Sequence, residues 1–284
     1  MSINFLETRF ASKCKFHWDF HHTIAQKKLW LKYSELYDNW LLQKEKNQND
    51  KIPKIIHQIW LGEKPLPNYY QRFKKSWISN NPDYKYILWD ENNSKELLIT
   101  NQKLYQESKN PGLRSDLLRY EILNLFGGIY VDTDFECIKS IPNELLKMDF
   151  VACMQFEDFP QIGNSLLMSQ KGSKQIVNIL KNCKKPNKEE GMEIMKSTGP
   201  FMVTEVINSC LNKKEFNMVI LPSNYCFPIP NFLKTLKIDV KKLITKESFG
   251  IHHWELTWLP KVSKPELKDR IFNLIKKFLH FIKK

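Results

Sequence analysis

No pair of cysteines stands at metal-binding or redox spacing in the 284 residues. The six that occur (Cys14, Cys137, Cys153, Cys183, Cys210, Cys226) are scattered singly, with no CxxC. That excludes a zinc ribbon, argues against a disulfide scaffold, and fits a reducing compartment. No apolar run approaches the length that spans a bilayer. The opening residues MSINFLETRFASKCKF lack the continuous apolar stretch of a signal peptide. Internal repeats and low-complexity linkers are missing as well. These absences lead to the expectation of a soluble or peripheral intracellular protein, cytoplasmic or held at the inner face of the plasma membrane.

What is present is apolar mass and positive charge. With 42% hydrophobic and 13% aromatic residues, the chain can bury one large α/β core or two small ones. The formal charge is +13. In residues 261–284, eight lysines and arginines face only Glu266 and Asp269, so the tail holds nearly half of the excess. Its segment DRIFNLIKKFLHFIKK sets Ile271, Ile275, Phe278 and Ile282 on one helical stripe with lysines around much of the rest. Such a helix either lies on anionic lipid or packs on the domain, and the sequence leaves both open. Basic charge also drives non-specific nucleic-acid binding. No recognition signature accompanies it, so no specific nucleic-acid partner is expected.

Three segments are expected. Residues 1–50 read as an aromatic-rich helical extension ending in the polar run QKEKNQND, residues 51–260 as the main domain, and residues 261–284 as the basic amphipathic helix. Within the main domain IPKIIHQIWLG and YKYILWD read as strands, with a helix from about Asn68 to Asn80 between them. Ser94–Glu107 reads as a helix. After Asn110-Pro111-Gly112, RSDLLRYEILNLF reads as another, stopped by Gly127-Gly128. The strand GIYV follows directly. DFVACMQF, NSLLMS and FNMVILP read as later strands, with helices around Ser173–Lys184 and Phe201–Leu211. Alternating strands and helices imply an α/β sandwich with its ligand site at the carboxyl ends of the strands.

At such an end stand Asp132 and Asp134 in GGIYVDTDFECI. Extended-chain alternation turns both to one side, where two carboxylates repel unless a cation or a proton joins them. The residues that follow lack the spacing of a calcium-binding loop. Carboxylate oxygens are hard ligands suited to Mg²⁺ or Mn²⁺, most readily when substrate phosphates complete the shell. Asp116 and Arg119 lie three apart on the preceding helix. They read either as a surface ion pair, worth about 0.2–0.5 kcal/mol, or as a grip on sugar hydroxyl and phosphate oxygens. Trp60 reads as a core aromatic or as a platform for a nucleobase. The adjacent His252 and His253 in GIHHWELTW offer an imidazole ligand.

Taken in order, IPKIIHQIWLG, NPDYKYILWDE, SDLLRYEILNLFGGIYVDTDFECI, GNSLLMS, TGPFMVT and IHHWELTW resemble glycosyltransferase family 32 over about Ile52–Leu259. That family includes fungal α-mannosyltransferases and bacterial capsule and lipopolysaccharide transferases, and it is related to the glucosyltransferase domain of large clostridial toxins. The resemblance implies a GT-A fold, a Rossmann-like nucleotide-binding sandwich, and retaining transfer of a hexose from a UDP- or GDP-sugar with Mn²⁺ or Mg²⁺. By motif it implies Asp134 as metal ligand and Asp132 on the ribose or on the metal through water. Trp60 would lie on the base, Asp116, Arg119 and Tyr130 around the donor sugar, and Asn164 in the sugar pocket. His253 would be the late metal ligand and Trp258 the motif's final tryptophan, on the nucleotide-sugar, with Thr257 where the motif more often has serine and its hydroxyl keeping the diphosphate contact. The implied acceptor is a surface polysaccharide or a lipid-linked glycan. A protein acceptor, or a non-catalytic module that binds nucleotide-sugar or membrane, are the alternatives.

Overall fold

The structure is a computed structural model, and it describes residues 23–43, 49–62, 65–97, 100–156, 160–211, 217–229 and 243–255. Trp258 and the basic tail lie outside these residues.

Six strands form a central sheet in the order β2-β1-β3-β6-β5-β7. They are β1 (Ile55–Ile59), β2 (Lys85–Trp89), β3 (Gly128–Val131), β5 (Phe150–Phe156), β6 (Gln161–Ser169) and β7 (Met218–Leu221). β1 is parallel to β2 and β3, and β5 to β7, while β6 runs antiparallel between β3 and β5. A second, two-stranded antiparallel sheet joins β4 (Phe135–Cys137) to β8 (Gly250–His252). β3 and β6 are buried along their whole length, so neither shows the in–out polarity alternation of a half-exposed strand. The expected α/β class is the observed one.

The helices are α1 (Ile24–Gln43), α2 (Asn68–Asn80), α3 (Gln102–Glu107), α4 (Pro111–Phe126), α5 (Lys174–Asn182), α6 (Gly191–Ser197) and α7 (Pro200–Cys210). In α1, Trp30, Tyr33, Tyr37 and Trp40 repeat at three- and four-residue steps and are buried. They join the main core beside β7, and the Tyr37 hydroxyl lies 2.9 Å from that of Tyr225. The polar run after α1 therefore separates it from β1 in sequence but not in packing.

Helix α4 carries most of the architecture. The Asn110 side chain accepts hydrogen bonds from Gly112 N and Leu113 N, and Pro111 occupies the first turn, where no N–H is needed. Gly127 and Gly128 both have positive φ. A Cβ on Gly128 would come within 2.5 Å of Ile55 O and 2.9 Å of His57 Nε2, so only glycine lets β3 enter against β1 there.

Of the helix read over Ser94–Glu107, Ser94–Glu96 are a turn continuing from Asp90 and only Gln102–Glu107 are helix. Asp90 Oδ1 accepts from Asn92 N and Asn93 N, and Asn93 Oδ1 accepts from Asp90 N. Short polar side chains thus satisfy the backbone groups a helix would have used. The fold also brings together two cysteines far apart in sequence: Cys153 Sγ lies 2.7 Å from Cys226 Sγ in the core, both as free thiols.

Candidate functional site

β3 delivers Asp132 and Asp134 to the mouth of a cavity of about 470 Å³, between α4, the start of β6 and the turn after β8. Gln58, fully buried on β1, donates to Asp132 O at 3.0 Å and accepts from the Tyr86 hydroxyl, which fixes the backbone from which the carboxylate projects. Asp132 N donates to Ser165 O at 2.9 Å.

Behind the carboxylates Asp116 and Arg119 form a buried ion pair, 7% and 5% exposed, and not the surface pair an amphipathic helix would carry. Arg119 Nη2 lies 3.1 Å from Asp116 Oδ1 and Nη1 lies 3.3 Å from Asp132 Oδ1. The same guanidinium donates to Asn164 O at 2.7 Å and Ser115 O at 3.2 Å, and it sits 4.5 Å over the Tyr130 ring. Asp116 in turn accepts from Asn164 Nδ2 at 2.8 Å and from the Thr198 hydroxyl at 3.0 Å. The Tyr130 hydroxyl donates to Asp132. Asp116, Arg119, Tyr130, Asp132 and Asn164, five of the site residues read from the sequence, therefore form one hydrogen-bonded knot. Burial pushes the Asp116 carboxyl up to about 6 against the pull of Arg119. It likewise raises Asp132, again opposed by Arg119 and reinforced by the Asp134 charge.

Asp134 is held differently. Its Oδ2 accepts from Glu255 N at 2.7 Å, reached because Trp254 adopts a left-handed φ of 58° and turns the chain back. Its Oδ1 faces His252 Nε2 at 3.3 Å, and the same nitrogen is 3.9 Å from Asp132 Oδ2. Burial favours the neutral carboxyl, but the His252 charge and the Glu255 amide outweigh it and keep Asp134 below the usual carboxylate range. Burial opposes the charge on His252 as well. The two carboxylates overcome that, so its pKa lies above the ordinary histidine value.

His253, which the resemblance made the metal ligand, is turned away from the carboxylates. It stacks on Phe73 at 4.4 Å and its Nε2 meets Glu136 Oε2 at 2.8 Å. Adjacent residues at the end of a strand face opposite ways, and the pairing of Phe135 with His252 sends His252 to the carboxylates. Sequence alone could not choose between the two histidines, because the choice depends on the β4–β8 register.

Asp132, Asp134 and His252 each offer one ligand atom, all within 4.8 Å of one another. His252 Nε2 faces the two carboxylates, and its Nδ1 is buried without a hydrogen-bond partner among the described residues. Two hard oxygens and a neighbouring imidazole nitrogen fit Mn²⁺ or Mg²⁺, with further positions left for substrate oxygens. Trp60 lines the same cavity, its ring 5.5 Å from Tyr70 in a small apolar cluster with Leu66 and Phe73. The sequence reading also missed Gln58, Thr198 and Trp254. Nothing in their types marked them, since each acts by holding another residue's carbonyl, carboxylate or backbone.

The two sheets thus carry two carboxylates and an imidazole together at their strand ends. Residues 67–151 match the family described as glycosyltransferase sugar-binding region containing DXD motif. The chain is 29% identical over 181 residues to inositol phosphoceramide mannosyltransferase 3 of Schizosaccharomyces pombe, covering 61% of this chain and 49% of that one. It is 30% identical over 162 residues to mannosyl phosphorylinositol ceramide synthase SUR1 of Saccharomyces cerevisiae, covering 55% and 41%. The chain thus spans about half the length, or less, of these curated relatives. Among solved structures it is similar to the PaToxG glycosyltransferase, with 16% identity, a TM-score of 0.45, and coverage of 64% of this chain and 79% of that one. The resemblance to DXD-motif sugar transferases read from the sequence is shown by the family match and the curated relatives.

Proposed function

We propose that this protein is a retaining, metal-dependent glycosyltransferase that moves a hexose from a nucleotide-sugar to a lipid-linked or polysaccharide glycan. The observation that carries the reading is the juxtaposition, in one cavity, of the Asp132–Asp134–His252 cluster and the Asp116–Arg119–Asn164 knot. Of the two relatives described above, one is named as an inositol phosphoceramide mannosyltransferase and the other as a mannosyl phosphorylinositol ceramide synthase. That supports mannose as the sugar and a lipid-borne acceptor at a membrane face.

Asp132, Asp134 and His252 would hold Mn²⁺ or Mg²⁺, which when bound neutralises charge developing on the diphosphate leaving group, a Lewis-acid effect worth several kcal/mol. The remaining work falls to the chain's own residues. Arg119 keeps Asp132 and Asp116 a fixed distance apart and shields their mutual repulsion. Asp116 has its two oxygens held by Asn164, Thr198 and Arg119, so a sugar hydroxyl meets a preorganised acceptor. Trp60 offers an aromatic face for the base.

The test is nucleotide release by the purified protein with Mn²⁺ and a panel of UDP- and GDP-sugars. One donor should be turned over slowly without acceptor. Asp134→Asn should abolish release while leaving the circular dichroism spectrum unchanged. Full activity in the folded variant would remove the metal role. Trp60→Ala should weaken free nucleotide and sugar-nucleotide alike; loss confined to the sugar-nucleotide would take the base away from Trp60.

A further inference from the structure

The cavity contains more unsatisfied polar chemistry than the metal cluster accounts for. Among the described residues that line it, His252 Nδ1, Ser165 Oγ and Gln161 Oε1 are buried and lack a hydrogen-bond partner. Gln161 is 1% exposed and Ser165 4%. A buried polar atom left unpaired costs on the order of 1–3 kcal/mol, so such atoms persist where a partner arrives from outside.

The backbone shows how they were placed. Ala152 pairs with Leu167, but two residues on, Met154 pairs with Ile162. The segment Gly163–Ser165 therefore forms a bulge in the β5–β6 pairing, opposite Cys153, while Leu166 stays paired with Val131 of β3. A bulge breaks the alternation of a strand and re-aims its side chains. That is why the consecutive Asn164 and Ser165 both reach the cavity, Asn164 to hold Asp116 and Ser165 with nothing to hold. Gly163 lets the neighbours close in: a Cβ there would stand 2.8 Å from the Phe227 ring and 3.2 Å from Gln155 Oε1.

We propose that Ser165 and Gln161 are specificity-determining residues that read hydroxyl groups of a sugar in this cavity, an inference that rests on the transferase reading above. The chemistry selects the ligand group. Gln161 Oε1 only accepts hydrogen bonds, so it requires a donor and excludes an ionised phosphate oxygen. Ser165 Oγ both donates and accepts, as a sugar hydroxyl does. Ile194 and Pro200 line the same cavity with apolar surface suited to the C–H faces of a sugar ring.

The sugar could belong to the donor or to the acceptor, and calorimetry with UDP, GDP, UDP-glucose and GDP-mannose in Mn²⁺ separates the two. In the wild type, one sugar-nucleotide should bind more tightly than its own nucleoside diphosphate. Ser165→Ala and Gln161→Met should each shrink that ratio about five- to tenfold, the effect of one hydrogen bond, with nucleoside diphosphate affinity unchanged. A ratio that holds, together with a similar rise in the methyl α-mannoside concentration that half-stimulates nucleotide release, would also support the proposal and assign the hydroxyls to the acceptor. If neither quantity moves, or if nucleoside diphosphate affinity falls in parallel, the proposal is overturned and the two side chains are packing. A wild type that binds no nucleotide sinks the transferase reading before any variant is made, and this inference with it.

Discussion

At the scale of single residues, charge and tautomer are set by what each group faces. Asp134 and His252 hold each other in the charged form, so a metal ion that takes the imidazole as a ligand must displace its proton. Mn²⁺ should raise the thermal midpoint of the wild type by mass action on the folded state. Asp134→Asn or His252→Ala should abolish most of that rise in differential scanning fluorimetry. His253→Ala, which removes a ring stacked on Phe73, should keep it. His57 shows the opposite case. Its Nε2–H donates to Gly127 O at 2.9 Å and its Nδ1 accepts from Trp89 Nε1 at 3.1 Å, so a second proton would meet an N–H. Burial, only partly offset by the Gly127 carbonyl, lowers its pKa from 6.5 to about 4. Below pH 6.5 the unfolded chain takes up a proton that the folded chain refuses. Stability present above that pH is thus lost progressively as pH falls towards 4, in total about 3 kcal/mol. Urea midpoints between pH 7 and 4.5 should show this slope in the wild type and a flatter one in His57→Gln.

At the scale of elements, the legible parts of the sequence were those governed by local rules. Helix α4 lies where its asparagine cap, its proline and its twin glycines put it. The strand-end aspartates were visible because two acids interrupt an apolar run. What could not be read depended on pairing between distant segments. The β4–β8 register decides which histidine meets Asp134, and the β5–β6 slip decides that Asn164 and Ser165 share a cavity. The turn after β2 escaped because Asp90 and Asn93 satisfy the local backbone themselves, against an otherwise acceptable helical pattern. Gly128 joins the two kinds: its turn role was readable, but its closeness to Ile55 and His57 was not. Gly128→Ala should destabilise the protein by on the order of 3 kcal/mol, read as a drop of several degrees in thermal midpoint. A change within one degree would show that β3 can shift to make room.

For the whole molecule, the basic excess and the packing of α1 matter most. No helix among the described residues is long and apolar enough to cross a membrane. We propose the basic charge of the terminal segment, read from the sequence, as a route to a lipid surface. Deleting Lys268–Lys284 should lower co-sedimentation with vesicles rich in phosphatidylserine, and raising salt should weaken binding of the full chain, since each basic side chain near such a surface contributes about 1 kcal/mol. Unchanged sedimentation would leave the segment a packing role. Helix α1 bears on a different matter. A fragment trimmed to the family match, or begun at residue 51 on the strength of the polar run, would leave Tyr225 and Asn208 without their tyrosine partners from α1 and uncover the core that Trp30 and Trp40 close. Such a fragment should be sticky and prone to precipitate, and adding a peptide of residues 23–43 should restore its solubility. The smallest piece of this chain that can stand alone is thus larger than the piece that carries its chemistry.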